Sequence, residues 1–261
     1  MILDAADQQH IDLHGWKMTI GGSALPQALC LEALKRGIDL GVGYGLSETC
    51  PLLTLAELPP ALRNAPLDQQ VEARCKAGQP VPLVQIRIVD EEMRDLPHDG
   101  EARGEVIARA PWLTTGYLKD PVNSQTLWAG GWLHTGDVGV MEPDGTLRIV
   151  DRIKDVIKTG GEWVSSLDIE DLILRHPGVA EVAVIGVPDA KWGERPVAMV
   201  IPKPGSTVTE AEIQAHLSNF AAQGVISRYG VPGRVTFVTQ LPKTSVGKFN
   251  KRALREAYTA T

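Results

Sequence analysis

Apolar positions recur at helical spacing across residues 27–36, where Ala28, Leu29, Leu31, Ala33 and Leu34 suit an amphipathic helix that Gly37 stops. A short apolar run over 38–42 then enters a glycine-rich turn and reads as a buried strand. Residues 51–80 are punctuated by proline and carry no clear period, which predicts a surface connection with one short helix. From Val81 onward the period changes to two. Val84, Ile86 and Ile88 alternate with Gln85 and Arg87, a second run covers 104–109 after the turn at Asp99-Gly100, and Asp144-Gly145 separates 138–140 from 146–150 as in a hairpin. Short strands at this spacing predict a small, curled antiparallel sheet, expected to form a distorted β-barrel over 81–151.

Past Asp151 the pattern becomes mixed. Ser165 with Asp168 offers a capping box for a helix running to about residue 175, ended by His176-Pro177-Gly178. Strands are expected at 181–187, 197–201 and 235–238, a helix capped by Thr209 and Glu212, and a last helix over 249–258. The fold class is therefore α+β, a mixed α/β chain. Its expected domains are 1–151, made of a helix and strand segment (1–80) and the barrel-like segment (81–151), and a compact α+β domain over 152–261.

Composition narrows the function without naming it. A chain of 261 residues suits one large domain or two ordinary ones, and 43% hydrophobic with 22% charged residues is the usage of a globular protein. The net charge of -6 argues against a nucleic-acid surface but leaves room for a small anionic ligand held by a few cations and amides. Cys30, Cys50 and Cys75 form no Cys-x-x-Cys pair, so neither a disulfide framework nor a zinc site is expected, and a reducing cytoplasm is the simplest compartment. The first ten residues carry Asp4 and Asp7 and no basic stretch, unlike a signal peptide, and no apolar run approaches the length of a membrane span.

Candidate chemistry lies in three runs whose order matters more than any one of them. Gly43-Tyr44-Gly45-Leu46-Ser47-Glu48-Thr49 combines glycines, which let backbone approach a ligand, with hydroxyls suited to phosphate and a carboxylate suited to a hard cation. Thr135-Gly136-Asp137 places a carboxylate after a glycine turn, where it can accept two hydrogen bonds from a vicinal diol. Pro242-Lys243-Thr244-Ser245-Val246-Gly247-Lys248 echoes a Walker loop, but Pro242 stands at the first glycine position and Phe249 where Ser or Thr is required, so that reading is rejected. Between the last two runs come Arg152-Ile153-Lys154-Asp155 and Thr159-Gly160-Gly161-Glu162. Taken singly, each run is an ordinary turn or a solvated charge, and His134 beside the second is a packed or solvated side chain.

Together the runs resemble the adenylate-forming acyl-CoA synthetases, the superfamily that also holds firefly luciferase and peptide-synthetase adenylation domains. The resemblance extends from about Trp16 to Arg255. It implies that Tyr44 stacks on adenine, that Ser47 contacts phosphate, and that Glu48 binds magnesium. Gly22, in the run Gly21-Gly22-Ser23-Ala24-Leu25-Pro26, would pack along the adenine and acyl pocket, and Gly45 would bring backbone close to the bound nucleotide. Asp137 and Arg152 would hold the ribose, Lys154 would mark a hinge, and Gly160 and Gly161 would line the pantetheine tunnel. Lys248 would be the catalytic lysine that touches the carboxylate and α-phosphate as pyrophosphate leaves. The implied ligands are ATP or AMP, Mg²⁺ and coenzyme A.

The same resemblance implies an AMP-forming ligase that joins a carboxylate, medium-chain fatty or aryl in type, to coenzyme A. The family's N-terminal half, with its Ser/Thr/Gly-rich phosphate loop, is not among these residues, so the first domain is expected to be the remainder of a larger one. Two expectations follow from that: exposed surface through which copies of the chain could associate, and a non-catalytic fragment that binds nucleotide or coenzyme A as the alternative function. A peptide-synthetase adenylation domain is a weaker alternative, since the chain stops soon after Lys248 and shows no carrier domain. Luciferase-like oxidation would use the same adenylation residues, and nothing in the sequence favours it.

Overall fold

The computed structural model describes residues 2–244 and 247–259, so Ser245 and Val246 of the third run lie outside the described residues. The chain divides into two compact units, Met1–Val150 and Asp151–Thr261.

In the first unit, helix α1 (Ile2–Gln9) precedes strand β1 (Lys17–Gly21), helix α2 (Gln27–Lys35) and strand β2 (Asp39–Tyr44). β1 and β2 pair in parallel, with Gly21 opposite Gly43, as the crossover through α2 requires. Strands β3 (Thr54–Leu55) and β4 (Gln79–Pro80) extend this sheet antiparallel on the β2 side, and helix α3 (Leu67–Cys75) lies between them in the chain. Cys30 and Ala33 of α2, Leu40 and Val42 of β2 and Val71 of α3 form the core beneath it. Ile38 and Val42 fall inside the apolar run read from the sequence, whereas β1 was not legible there because only one face is engaged and its residues alternate exposed and half-buried.

A second sheet holds β5 (Gln85–Val89), β6 (Gly104–Arg109), β7 (Leu133–Met141) and β8 (Leu147–Arg152), in that order, with helix α4 (Pro121–Leu127) between β6 and β7 in the chain. Among the described residues it is an open four-stranded sheet and does not close. The expected distorted barrel is corrected on this point, since β5 and β8 do not pair with each other; β8 instead bridges Gly78 through Leu147. Val106 and Ala108, two residues apart on one face of β6, enter neighbouring core clusters: Ile88, Met141 and Leu147 join Val106, and Leu133, Leu53 and Leu127 join Ala108.

The second unit is built around a long hairpin. Strands β11 (Val179–Asp189) and β12 (Gly193–Pro202) pair over nearly their full lengths, β13 (Arg234–Phe237) adds in parallel to β12, and the short hairpin of β9 (Ile157–Thr159) and β10 (Glu162–Val164) joins through β9. Helices α5 (Ser166–Leu174) and α6 (Glu210–Ala222) cover one face, with Ile169, Ile173 and Leu217 against Val182, Val184 and Val200. Helix α7 (Lys251–Thr259) serves the other, where Leu254 meets Ala183, Ile185, Val197 and Met199. Both faces being covered explains why 182–185 is continuously apolar rather than alternating.

Helix starts follow the caps read from the sequence. The Asp168 N–H donates to Ser165 Oγ at 3.0 Å, and Thr209 and Glu212 bond reciprocally, at 3.3 Å and 2.8 Å. Leu217 is fully buried on α6. Leu217→Ala should lower the unfolding free energy of the second unit by about 2–5 kcal/mol. Urea unfolding followed in that unit checks this, and an unmoved midpoint contradicts the packing described.

Candidate functional site

In the first unit, the candidate residues gather at the C-terminal ends of β1 and β2. Gly22 follows the last residue of β1 with φ +84°, and Tyr44 is the last residue of β2. Because Gly21 pairs with Gly43, the parallel register itself sets the loops after both strands side by side. Ligands of open parallel sheets commonly bind at this end.

The loop after Tyr44 is held by Thr49, which is fully buried. Its hydroxyl accepts from the Leu46 N–H at 2.8 Å and also contacts the carbonyls of Leu46 and Pro51, at 3.0 Å and 2.9 Å. A Cβ at Gly45 would lie 1.8 Å from the Pro51 carbonyl oxygen, so only glycine permits the chain to double back here. Ser47 is exposed on the following turn and Glu48 is half-buried. Tyr117 donates its hydroxyl hydrogen to Glu48 Oε1 at 2.8 Å, and that bond, with burial and the nearby carboxylate charges, pushes the phenol pKa upward. The Thr114 N–H donates to the Glu48 carbonyl at 2.9 Å, which ties the two loops at the backbone as well. Sequence reasoning missed Tyr117. Its only signal is an aromatic residue after Gly116 in a patternless stretch.

Thr135-Gly136-Asp137 is not the loop turn the sequence led us to expect. It lies within β7 as a bulge: pairing moves from Ile107–His134 to Glu105–Val138, so β6 advances two residues while β7 advances four. Gly136 takes φ +69° there. The backbone groups freed by the bulge are taken up by side chains. Thr135 Oγ1 donates to the Val106 carbonyl at 2.7 Å and accepts from the Asp137 N–H at 3.1 Å, while the Gly136 N–H donates to Glu105 Oε1 at 3.1 Å. His134 braces the same bulge, with Nδ1 2.9 Å from Glu105 Oε2 and Nε2 3.2 Å from the Ala129 carbonyl. Its place is structural, as the sequence reading held.

The bulge delivers Asp137, 7% exposed, to Tyr44, whose hydroxyl donates to Asp137 Oδ2 at 2.8 Å. Two runs 93 residues apart in sequence therefore meet in one hydrogen bond. A buried carboxylate beside a phenol is a site that accepts hydroxyl donors, and the half-buried Glu48 offers oxygen to a hard cation. Among the described residues no group of three or more His, Cys, Asp or Glu could hold a metal by itself.

The remaining candidates lie on three turns of the second unit. Arg152 ends β8, its N–H donates to Asp151 Oδ1 at 2.8 Å, and Lys154 is exposed on the turn closed by the Asp155 and Val156 N–H groups on the Arg152 carbonyl. Gly160 and Gly161 form the two-residue loop between β9 and β10, with φ +60° and +81°, the paired positive angles of a type I′ turn. The Tyr229 ring closes on Gly160, where a Cβ would lie 3.0 Å from it, and Trp192 lies 5.4 Å from Tyr229. Cations sit over these rings: Lys191 over Trp192 at 4.5 Å and Arg228 over Tyr229 at 4.9 Å. Lys248 is exposed on a hairpin whose Thr244 N–H donates to the Lys248 carbonyl at 2.7 Å and whose Asn250 N–H donates to the Pro242 carbonyl at 2.8 Å.

A mixed α/β chain with polar loops gathered at the ends of parallel strands is of the class that binds nucleotides there. Residues 1–118 match the family model described as AMP-binding enzyme, and residues 168–248 match that of the AMP-binding enzyme C-terminal domain, so the chain belongs to the AMP-binding enzyme family. A long-chain-fatty-acid–CoA ligase of Thermus thermophilus is 39% identical over 243 residues, covering 93% of this chain and 44% of that protein. Among solved structures, the anthranilate CoA ligase AuaEII in complex with anthranoyl-AMP matches with TM-score 0.80 and 30% identity, over 94% of this chain and 45% of that one. The amide bond synthetase McbA from Marinactinospora thermotolerans matches with TM-score 0.81 and 28% identity, over 98% and 54%. The chain thus spans under half the length of the fatty-acid ligase it matches. No helix among the described residues is long and apolar enough to cross a membrane.

Tyr44→Phe removes the phenol hydrogen that Asp137 accepts. It should lower the stability of the first unit by roughly 1.5–3 kcal/mol, the scale of a hydrogen bond to a charged group. Urea unfolding of parent and variant measures this, and equal midpoints would show that the contact carries no weight.

Proposed function

We propose that this chain is part of an AMP-forming acid–thiol ligase that joins a carboxylic acid to coenzyme A. The observation that carries the reading is the hydrogen bond from Tyr44 to the buried Asp137, which makes one site of an aromatic ring and a diol-accepting carboxylate at the strand ends. In this reading the Tyr44 ring stacks on adenine, Asp137 accepts from the ribose hydroxyls with Arg152 as a further donor, and Ser47 contacts phosphate. Gly22 and Gly45 leave backbone close to the nucleotide.

Glu48 would hold Mg²⁺ by one carboxylate while the nucleotide phosphates complete the coordination, the usual arrangement for this ion. That fits a site in which Glu48 is half-buried with a single described phenol partner at Oε1 and belongs to no larger acidic cluster. Bound there, the ion would neutralise phosphate charge.

The reaction has two steps. A carboxylate oxygen attacks the α-phosphorus of ATP and pyrophosphate leaves, giving the acyl-adenylate. The thiol sulfur of coenzyme A then attacks the acyl carbon, loses its proton, and AMP leaves. Lys248 supplies the positive charge that stabilises the first step. Lys154 marks the hinge, and the Gly160-Gly161 turn offers bare backbone to the pantetheine arm. The cation-bearing rings of Trp192 and Tyr229 beside that turn are suited to the anionic, adenine-bearing end of coenzyme A. The names of the fatty-acid and anthranilate ligases support a fatty or aryl carboxylate as substrate.

Thioester formation from a panel of carboxylic acids with ATP, Mg²⁺ and coenzyme A, read by mass spectrometry, tests this. Lys248→Ala should lower the rate by about 100-fold or more, the scale on which a single charge-stabilising group acts. Retained rate in that variant would remove Lys248 from the chemistry. A parent protein that binds AMP but makes no thioester would replace the ligase reading with nucleotide binding alone.

A further inference from the structure

The second unit contains a buried polar chain that none of the roles above uses. Lys251, the first residue of α7, and Glu170 of α5 have side-chain exposures of 10% and 11% and form an ion pair at 2.7 Å. Lys251 Nζ also donates to Ser166 Oγ, and Ser166 gives both its hydroxyl hydrogen and its N–H to Asp151 Oδ2, the latter at 2.7 Å. Glu170 Oε1 in turn accepts the Val184 N–H at 2.7 Å. β11 is the edge of its sheet, so that N–H would otherwise be a buried donor without a strand partner. Every link has a donor facing an acceptor. Burial pushes the Glu170 carboxyl pKa upward, and the Lys251 charge opposes that rise.

Such a pair is a weak source of net stability, because desolvating two charges offsets most of their attraction. Its geometric consequence is larger. The hairpin that carries Lys248 closes at its base through the Pro242 carbonyl and the Asn250 N–H, and Asn250 Oδ1 then accepts the Ala253 N–H at 3.1 Å to start α7. Lys251 is the next residue after that base. Where its ammonium is fixed, the base of the hairpin is fixed.

We infer that Lys251 is a positioning residue for Lys248, tying the base of the Lys248 hairpin to α5 and to Asp151 through Glu170 and Ser166. This rests on the reading of Lys248 as the charge-stabilising lysine. Glu170 and Ser166 serve as the fixed wall, and the hairpin's aim is set three residues beyond Lys248.

Amide hydrogen exchange on the full chain tests the tie without requiring turnover. Removing Lys251 alone would bury an unpaired Glu170 and threaten folding. The informative variant is therefore Glu170→Gln with Lys251→Met, which removes both charges and leaves a side-chain oxygen for the Val184 N–H. In it, exchange at Thr244, Gly247, Lys248 and Asn250 should quicken by about tenfold or more while the β12 amides keep their parent rates, the signature of local opening. Hairpin rates equal to the parent's would overturn the inference. A rise spread evenly over β11 and β12 would do so too, since it marks a general packing role. Lys248→Ala, run beside it, should keep parent exchange rates. The exchange result therefore stands or falls separately from the chemistry assigned to Lys248.

Discussion

A β-ladder that is interrupted must place its freed backbone groups somewhere, and that constraint organises both units. At the bulge in β7, Thr135 and Glu105 take up the N–H and carbonyl groups that β6 and β7 no longer exchange. In the loop after β2, the buried Thr49 does the same for Leu46 and Pro51. At the open edge of β11, Glu170 accepts the Val184 N–H. Each repair uses a polar side chain that is itself buried or half-buried, so each fixes its neighbourhood closely. Candidate functional residues lie beside two of these repairs, and the Lys251 network grows from the third.

The two units solve their burial problem differently. In the second, helices on both faces of one sheet let β11 and β12 be apolar on both sides, and the core forms two clusters that share those strands. In the first, an open parallel-and-antiparallel sheet and an open antiparallel sheet share Tyr44, which packs at the margin of the clusters formed by Ala108 and Leu133 and by Val106 and Leu147. Tyr44 therefore has two duties: its ring contributes to packing, and its hydroxyl is spent on Asp137.

Where sequence reading worked, the interactions were local. The Ser165 and Thr209 caps depend on groups three residues apart. The helix over 27–35 and the hairpins at Gly145 and Gly160-Gly161 depend on periodicity and on turn conformation. The α+β class followed from the same signals. The barrel did not, because closure depends on whether β5 and β8 meet, and strand period carries no information about closure. The expected turn at Thr135-Gly136-Asp137 failed for a related reason. A bulge exists only relative to a partner strand, and β6 lies about thirty residues upstream.

By itself, the sequence determined the class of fold, the caps, the turns and the identity of the polar runs, since residue type and spacing over a few positions decide these. It also held the resemblance, which no single run carried alone. Only the tertiary structure decided that Tyr44 meets Asp137, that Tyr117 faces Glu48, and that Lys251 is half-buried against the buried Glu170 while Lys248 is exposed. Lysines 248 and 251 look alike in the basic stretch that ends the chain. What separates them is the packing of α7 on the sheet and the desolvation that goes with it, and both depend on contacts with residues some eighty positions away.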